Sequence, residues 1–420
     1  MNRAFLAISL MILALAVPTL VWAQADAAFD SQSGGSRSGG QNRGVPTTQW
    51  DQLESVKAFD EVVGTLLKMR HTLLADAVNE REASEGMRFI LRTLTMASDV
   101  TGDGYMQSPH FARMDTPRRK IGGDNPDGEY DNLVWDGEVD YKITGNLGSV
   151  DHLSFTVLSI QDNGRSKQIG YLNERDLKAD WRGNFTIWLS GTKPEGKGDW
   201  IKTGKEAGLG TILVRQYFGN RKKEKPASFK VEVVGQKRYD PLPPSTDLEV
   251  AAGIRNANNA MLGIGFLHHY VTPSLGENEN VFKLSNSDDF GADISSPDNL
   301  YVIGTYNFEP DEALIIEVDP LDVRFWNLAI ENPWHESVDY AKRRTSRTGE
   351  SVKVDPDGKV RFLLAHARTD HPNYLETAGH QRGFMTFRYV GERDTKPPLP
   401  TVMRLPLDEA LAKAKSLGGR

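Results

Sequence analysis

Two stretches of this 420-residue chain repeat one another, and the repetition limits the folds open to it more than any single motif does. LKADWRGNFTIWLS (177–190) aligns without gaps on VKVDPDGKVRFLLA (352–365), placing Lys178 on Lys353, Asp180 on Asp355, Gly183 on Gly358 and Leu189 on Leu364. Downstream, Asp199-Trp200-Ile201-Lys202-Thr203 falls on Asn373-Tyr374-Leu375-Glu376-Thr377, and Arg215 on Arg388. Upstream, Asn132-Leu133 falls on Asn299-Leu300 and Phe155 on Trp326. Ordered blocks at a nearly constant offset indicate a duplicated unit.

Within each copy the apolar period is two. Strand-like runs lie at 139–144, 153–160, 185–189, 211–217 and 229–234, and again at 300–306, 313–318, 323–330, 352–354, 360–365 and 385–390. Turn clusters such as Asn125-Pro126-Asp127-Gly128 separate them, the pattern of an antiparallel β-sandwich or jelly roll. Ahead of them Leu53, Phe59, Val63, Leu66, Leu67 and Leu74 recur at helical spacing behind Thr48 as N-cap, and a second helix follows through Met87 to Leu94. The chain therefore reads as mainly β with α decoration, two tandem antiparallel β-sandwich (jelly-roll-like) domains preceded by a helical hairpin. The expected boundaries are 1–25 signal peptide, 26–47 flexible Gly/Ser-rich tether, 48–112 helical hairpin, 113–242 first sandwich, 243–278 joining helix, 279–405 second sandwich and 406–420 helical tail.

The signal peptide rests on basic Arg3, an apolar run from Phe5 to Val21 and the Ala23-Gln24-Ala25 end. It predicts a periplasmic or secreted protein with no integral membrane span after cleavage. Lys and Arg number 50 against 57 Asp and Glu, a net charge of -7, which gives no electrostatic footprint for nucleic acid. The absence of cysteine excludes disulfides, thiolate metal sites and a cysteine nucleophile. No Walker loop, dinucleotide fingerprint or nucleophile-elbow GxSxG occurs, and no cofactor is expected.

KIGGDNPDGEYDN (120–132), LVRQYF (213–218), RFWNLAIENPWHESVDY (324–340) and HPNYLETAGHQRGFMTFRY (371–389) together resemble the bacterial family catalogued as domain of unknown function twelve-fourteen, often found with companion family twelve fifty-four. The resemblance implies tandem jelly rolls with helical decoration and carries no activity and no catalytic residue.

Three clusters qualify as candidate sites. Arg119, with Gly122 and Gly123 beside Asp124, offers guanidinium and freed backbone amides for an anion, or a mere ion pair at the mouth of the first sheet. The loop after a strand at 333–340 sets Trp334 as a stacking platform beside His335, Glu336, Asp339 and Tyr340, with Glu336 and Asp339 as an acid and base for glycoside chemistry. His366, His371 and His380, with Asp370 and Glu376 among them, are the ligand types a metal needs, yet no pair has a spacing that fixes geometry. The leading expectation is an exported protein that binds or processes a glycan or glycan-like molecule in a cleft between the sandwiches, through Asp124, His335, Glu336 and Asp339 as chemical groups and Arg119, Gly122, Gly123, Trp334, Tyr340 and His380 as ligand contacts. A non-catalytic homo-oligomeric envelope or assembly protein is the first alternative, and a metal-dependent hydrolase or oxidoreductase using the C-terminal histidines is the second. Exposure of Trp334 and convergence of the histidines decide between them.

Overall fold

The computed structural model describes residues 48–417 apart from 103–107, 161–165, 238–240, 242–243, 277, 286–295 and 392–394, and apart from the side chains of 266–271 and 273. The signal peptide and the tether expected from the sequence lie outside the described residues.

The chain is mainly β, with a helical hairpin followed by two sandwich-like halves. The hairpin is α1 (Glu54–Asp76) and α2 (Glu80–Ala97). The first half holds β1 (Ala112–Arg113), β2 (Gly128–Asp136), β3 (Tyr141–Asn146), β4 (His152–Ile160), β5 (Ser166–Asn173), β6 (Asn184–Ser190), β7 (Asp199–Lys202), β8 (Leu209–Tyr217) and β9 (Ser228–Val233). After α3 (Asp247–Val271) the second half holds β10 (Phe282–Ser285), β11 (Asn299–Asn307), β12 (Glu312–Val318), β13 (Phe325–Glu331), β14 (Ser346–Thr348), β15 (Val360–Ala365), β16 (Tyr374–Glu376), β17 (Arg382–Val390) and β18 (Thr401–Pro406), then α4 (Leu407–Leu417).

Strand order is the same in both halves. A five-stranded sheet β1-β2-β8-β4-β5 and a four-stranded sheet β7-β6-β3-β9 in the first correspond to β10-β11-β17-β13-β14 and β16-β15-β12-β18 in the second. Even the parallel edge pairs match, β6 with β7 and β15 with β16. The aligned turns also agree. Gly183 at φ 81 donates to Asp180 O at 2.8 Å, and Gly358 at φ 84 donates to Asp355 O at 2.9 Å. Both glycines sit where a side chain would be strained. The Lys178 amide donates to Asp199 Oδ2 at 2.8 Å as the Lys353 amide does to Asn373 Oδ1 at 2.7 Å.

The upstream alignment needs correction. Arg215 stands opposite Tyr130 and Ser154, whereas Arg388 stands opposite Tyr301 and Asn327. Tyr130 therefore corresponds to Tyr301, which puts the pairing of Asn132 with Asn299 four residues out of register and that of Phe155 with Trp326 two residues out. A short Asn-Leu match outweighed strand register, which the sequence does not display.

Each sandwich has its own apolar core between its sheets, with Trp135, Tyr141, Phe155 and Ile187 in the first and Phe308, Leu314, Phe362 and Phe387 in the second. The helices pack Val62, Met69, Phe89 and Met261 against Tyr130, Leu213 and Tyr217 of one five-stranded sheet and Phe325 and Val390 of the other. Thr48 is not the cap of α1: it turns back onto Asp51, and the helix begins six residues later at Glu54. Its open amides at Glu54 and Ser55 are taken instead by the Asp247 carboxylate, at 2.9 and 3.1 Å, from the first residue of α3. Among the described residues no helix is long and apolar enough to cross a membrane.

The two four-stranded sheets differ in what covers them. Ala410 and Ala414 of α4 pack on Ala313, Ile315, Leu363 and Ala365 of the second half. Among the described residues no helix packs on the corresponding sheet of the first half.

Candidate functional site

The loop expected to hold a ligand is instead a buried polar junction joining the hairpin, the segment leading into β2 and the second sandwich. Trp334 is 0 % exposed, packed in the helical cluster with its indole N–H donating to Glu82 O at 3.0 Å. It offers no face to a sugar, because a helix some 250 residues earlier covers it. Glu336 is buried against Arg92, its Oε1 2.5 Å from Nη1, while Asp339 is exposed, so the two carboxyls do not line one cleft for acid-base work. His335 is stacked on Phe384 at 3.6 Å and hydrogen-bonded to Glu331 at 3.2 Å; burial pulls its imidazole below its ordinary value, against the opposing pull of Glu331.

The other expected contacts are also spent within the fold. Arg119 binds the Asp99 carboxylate at 2.5 Å and the Arg113 carbonyl. Gly122 is buried, and the Gly123 amide donates to the His335 carbonyl, so the glycines form no anion nest. Asp124 accepts from the Ser337 amide at 3.0 Å and from its hydroxyl, and lies 3.7 Å from Lys120, whose ammonium sits 3.4 Å over the Tyr340 ring. Burial raises Asp124 and lowers Lys120, and together with the nearby Asp124 charge pushes Asp115 up to about 8. Burial works against ionising Glu331 too, yet Arg388 at 2.9 Å and His335 hold it below the usual carboxylate range. The junction is closed and bonded mostly within itself, with Arg119 Nε and Arg388 Nη1 buried without a hydrogen-bond partner among the described residues, as befits a structural network.

The histidines do not converge. His366 bonds Thr377 Oγ1 at 2.8 Å and Phe308 O at 3.1 Å, the His371 ring accepts from the Asn373 amide at 3.3 Å, and His380 bonds Glu85 at 2.7 Å. Asp370 is exposed and Glu376 pairs with Arg343. Among the described residues the one group of three with metal-ligand geometry is Asp151, Glu224 and Glu350, with ligand atoms within 4.8 Å of one another. Burial and the neighbouring Glu224 and Glu350 charges raise Asp151 to about 6.

The arrangement best suited to a ligand is one the sequence reading passed over, the uncovered sheet of the first half. Tyr141, Ile143, Phe185, Ile187, Leu189 and Ile201 point into the core, so the alternate residues point outward. Register lines them up in rows across the strands. Trp200, Trp188, Lys142 and Glu232 form one row and Thr186, Thr144 and Lys230 the next. Asn184, Asn146 and Ser228 form the third. Trp188 donates to Lys197 O at 3.1 Å and Trp200 to Ser190 O at 3.2 Å, which fixes both indoles, and Lys142 Nζ lies 5.2 Å from the Trp188 ring. Beyond the third row the turn carries Trp181, 86 % exposed with the Arg182 guanidinium 4.5 Å over its ring. In the second half the partners matching Lys142 and Trp188 are Ile315 and Leu363, both under α4. The missed signal was parity: Trp188 falls on the polar alternation of β6, with Asn184 and Thr186.

Comparison with known proteins agrees with this architecture. Residues 309–393 match the family described as Protein of unknown function (DUF1214). The DUF1214 segment runs from before β12 to just past β17, and it supports the family resemblance drawn from the motifs. A crystal structure of an uncharacterized protein from Burkholderia cenocepacia is similar over 86 % of this chain and all of that one, with 28 % identity and a TM-score of 0.77. The VPA0106 protein from Vibrio parahaemolyticus is matched at 12 % identity over 75 % of this chain and 96 % of that one, with a TM-score of 0.44. No curated protein matches the chain.

Proposed function

We propose that the protein is an exported glycan-binding protein whose ligand lies across the open sheet of the first half. The observation that carries this reading is the contrast between copies: where one sheet has aliphatic residues sealed under α4, the other presents Trp188 and Trp200 in one row beside Lys142, Thr144 and Thr186. Indole faces take the apolar C–H face of a sugar ring, while hydroxyl, amide and ammonium groups at fixed spacing bond its hydroxyls. Three rows and the Trp181 turn make an elongated strip, suited to several sugar units of a polymer. The export signal at 1–25 supplies the setting, an envelope or nutrient polysaccharide outside the cytoplasm. A glycan array probed with the mature protein tests the reading, followed by calorimetry on Trp188→Ala and Trp200→Ala. Loss of about tenfold or more in affinity on each substitution, in variants that still unfold cooperatively well above the binding temperature, supports it. Binding that survives both substitutions, or no glycan bound at all, rejects it.

A second reading, the homo-oligomeric envelope protein, draws on α1. Phe59, Val63 and Leu67 are exposed at successive helical turns, beside Gly64, whose surroundings are open. Acidic Asp60 near one end of that stripe and basic Arg70 near the other are complementary in an antiparallel pairing of two copies. Light scattering of wild type and Val63→Asp checks it, with a dimer that becomes a monomer as the expected outcome.

A further inference from the structure

The β13–β14 and β15–β16 connections enclose a depression of about 520 Å³ on the second half. Lys342, Arg343, Arg344 and Arg368 line it, against the carboxylates of Asp339 and Glu376. Arg343 is neutralised by Glu376. Lys342, Arg344 and Arg368 make no ion pair among the described residues, so positive charge outweighs negative in one concave space.

The charges are held in place. Arg344 lies 5.2 Å from the centroid of the Tyr374 ring, and its carbonyl accepts from the Glu376 amide at 2.8 Å, which ties this cation to the edge strand β16. The Lys342 and Arg343 amides both donate to Asp339 O, a tight turn that sets consecutive basic side chains around the rim. Arg368 comes from the opposite connection. Neighbouring Arg347 is depressed below the ordinary guanidinium value, first by burial and then by Arg344, so the excess potential is felt beyond the rim. Like charges in excess of the counter-charge of Asp339 and Glu376 repel one another, and a bound anion relieves that repulsion. Guanidinium forks present paired N–H donors at the spacing of oxyanion oxygens, so the group taken is a planar or tetrahedral oxyanion more readily than a halide.

We infer that this depression is a binding site for a phosphate or sulfate group, held by Lys342, Arg344 and Arg368. The inference stands on this half alone and does not depend on the open sheet of the first. The group arrives as a free anion or as a substituent of a polymer.

The test uses the mature chain at constant ionic strength, balanced with sodium chloride so that screening does not vary. Inorganic phosphate, inorganic sulfate and dextran sulfate are titrated while the melting temperature is followed. The expected result is a rise of about 2–4 °C at saturation, absent in the Arg344→Ala/Arg368→Ala double variant and partly kept in Arg368→Lys. All of these side chains are on the surface, so the variants are expected to melt as wild type does without anion. A tighter response to dextran sulfate than to sulfate assigns the polymer as source, and equal responses assign the free anion. An unchanged rise in the double variant, or no response to any of the three probes, overturns the inference.

Discussion

The two halves share strand order, a parallel edge pair and a glycine turn, yet one four-stranded sheet is sealed by α4 and the other has no helix packed on it among the described residues. The sealed sheet gives its outward positions to Ile315 and Leu363 and lies under Ala410 and Ala414. The open one gives the matching positions to Lys142 and Trp188. The two copies thus put the same strands to different use: one outer face is packed under α4, and the other keeps polar and aromatic side chains on its surface, the face proposed to take a glycan.

Four experiments sharpen or break that contrast. The largest effect is expected at the closed parts of the molecule. Trp334→Ala should cost about 3–5 kcal/mol in denaturant unfolding, as a cavity in a packed core does, whereas Trp188→Ala should cost under about 1.5 kcal/mol while removing binding; similar costs at both sites would erase the distinction between scaffold and platform. Ala414→Asp comes next, at about 2–4 kcal/mol, because it drives a carboxylate against Ile315 and Leu363; a neutral outcome would mean that α4 does not seal its sheet.

The third concerns pH. Asp115 stands at about 8 in the fold against 3.8 for the free group, so the folded protein keeps a proton that the unfolded chain releases. Stability from this residue is therefore greatest below pH 4 and falls as pH rises towards 8. Asp115→Asn should flatten that fall, raising stability at pH 8 by on the order of a few kcal/mol and changing little at pH 4. A parallel loss in wild type and variant would locate the pH dependence elsewhere. The smallest effect tests the equivalence of the halves: Gly183→Ala and Gly358→Ala should each cost about 1 kcal/mol, since both have positive φ and neither has a steric neighbour closer than ordinary contact. Unequal costs would show that the repeated turns are not equivalent in energy.

The sequence displays local devices well and long-range cover poorly. Gly183 and Gly358 are legible because one turn needs a left-handed residue three positions after the carbonyl it closes on, wherever it occurs. Trp334 is not, because its polar neighbours Glu331, Asn332, His335 and Glu336 look like a solvent-facing loop until α2 and the segment at 120–124 are laid over it. The histidines mislead in the same way: spacings that permit convergence do not cause it, and His380 is drawn to Glu85 on α2. Lys342, Arg344 and Arg368 acquire meaning from the fold alone, since two connections bring them together.

The contact between Asp124 and Ser337 joins residues 213 positions apart in the chain. A polypeptide made from its N-terminus has completed the whole first sandwich before Ser337 or Arg388 exists. Until then Asp124 has neither its hydroxyl donor nor the cover that dries it, so the first half emerges wet at its base and matures last where it began earliest. The first half alone would leave that acid bare to solvent, which makes the junction a record of whether the second half has arrived.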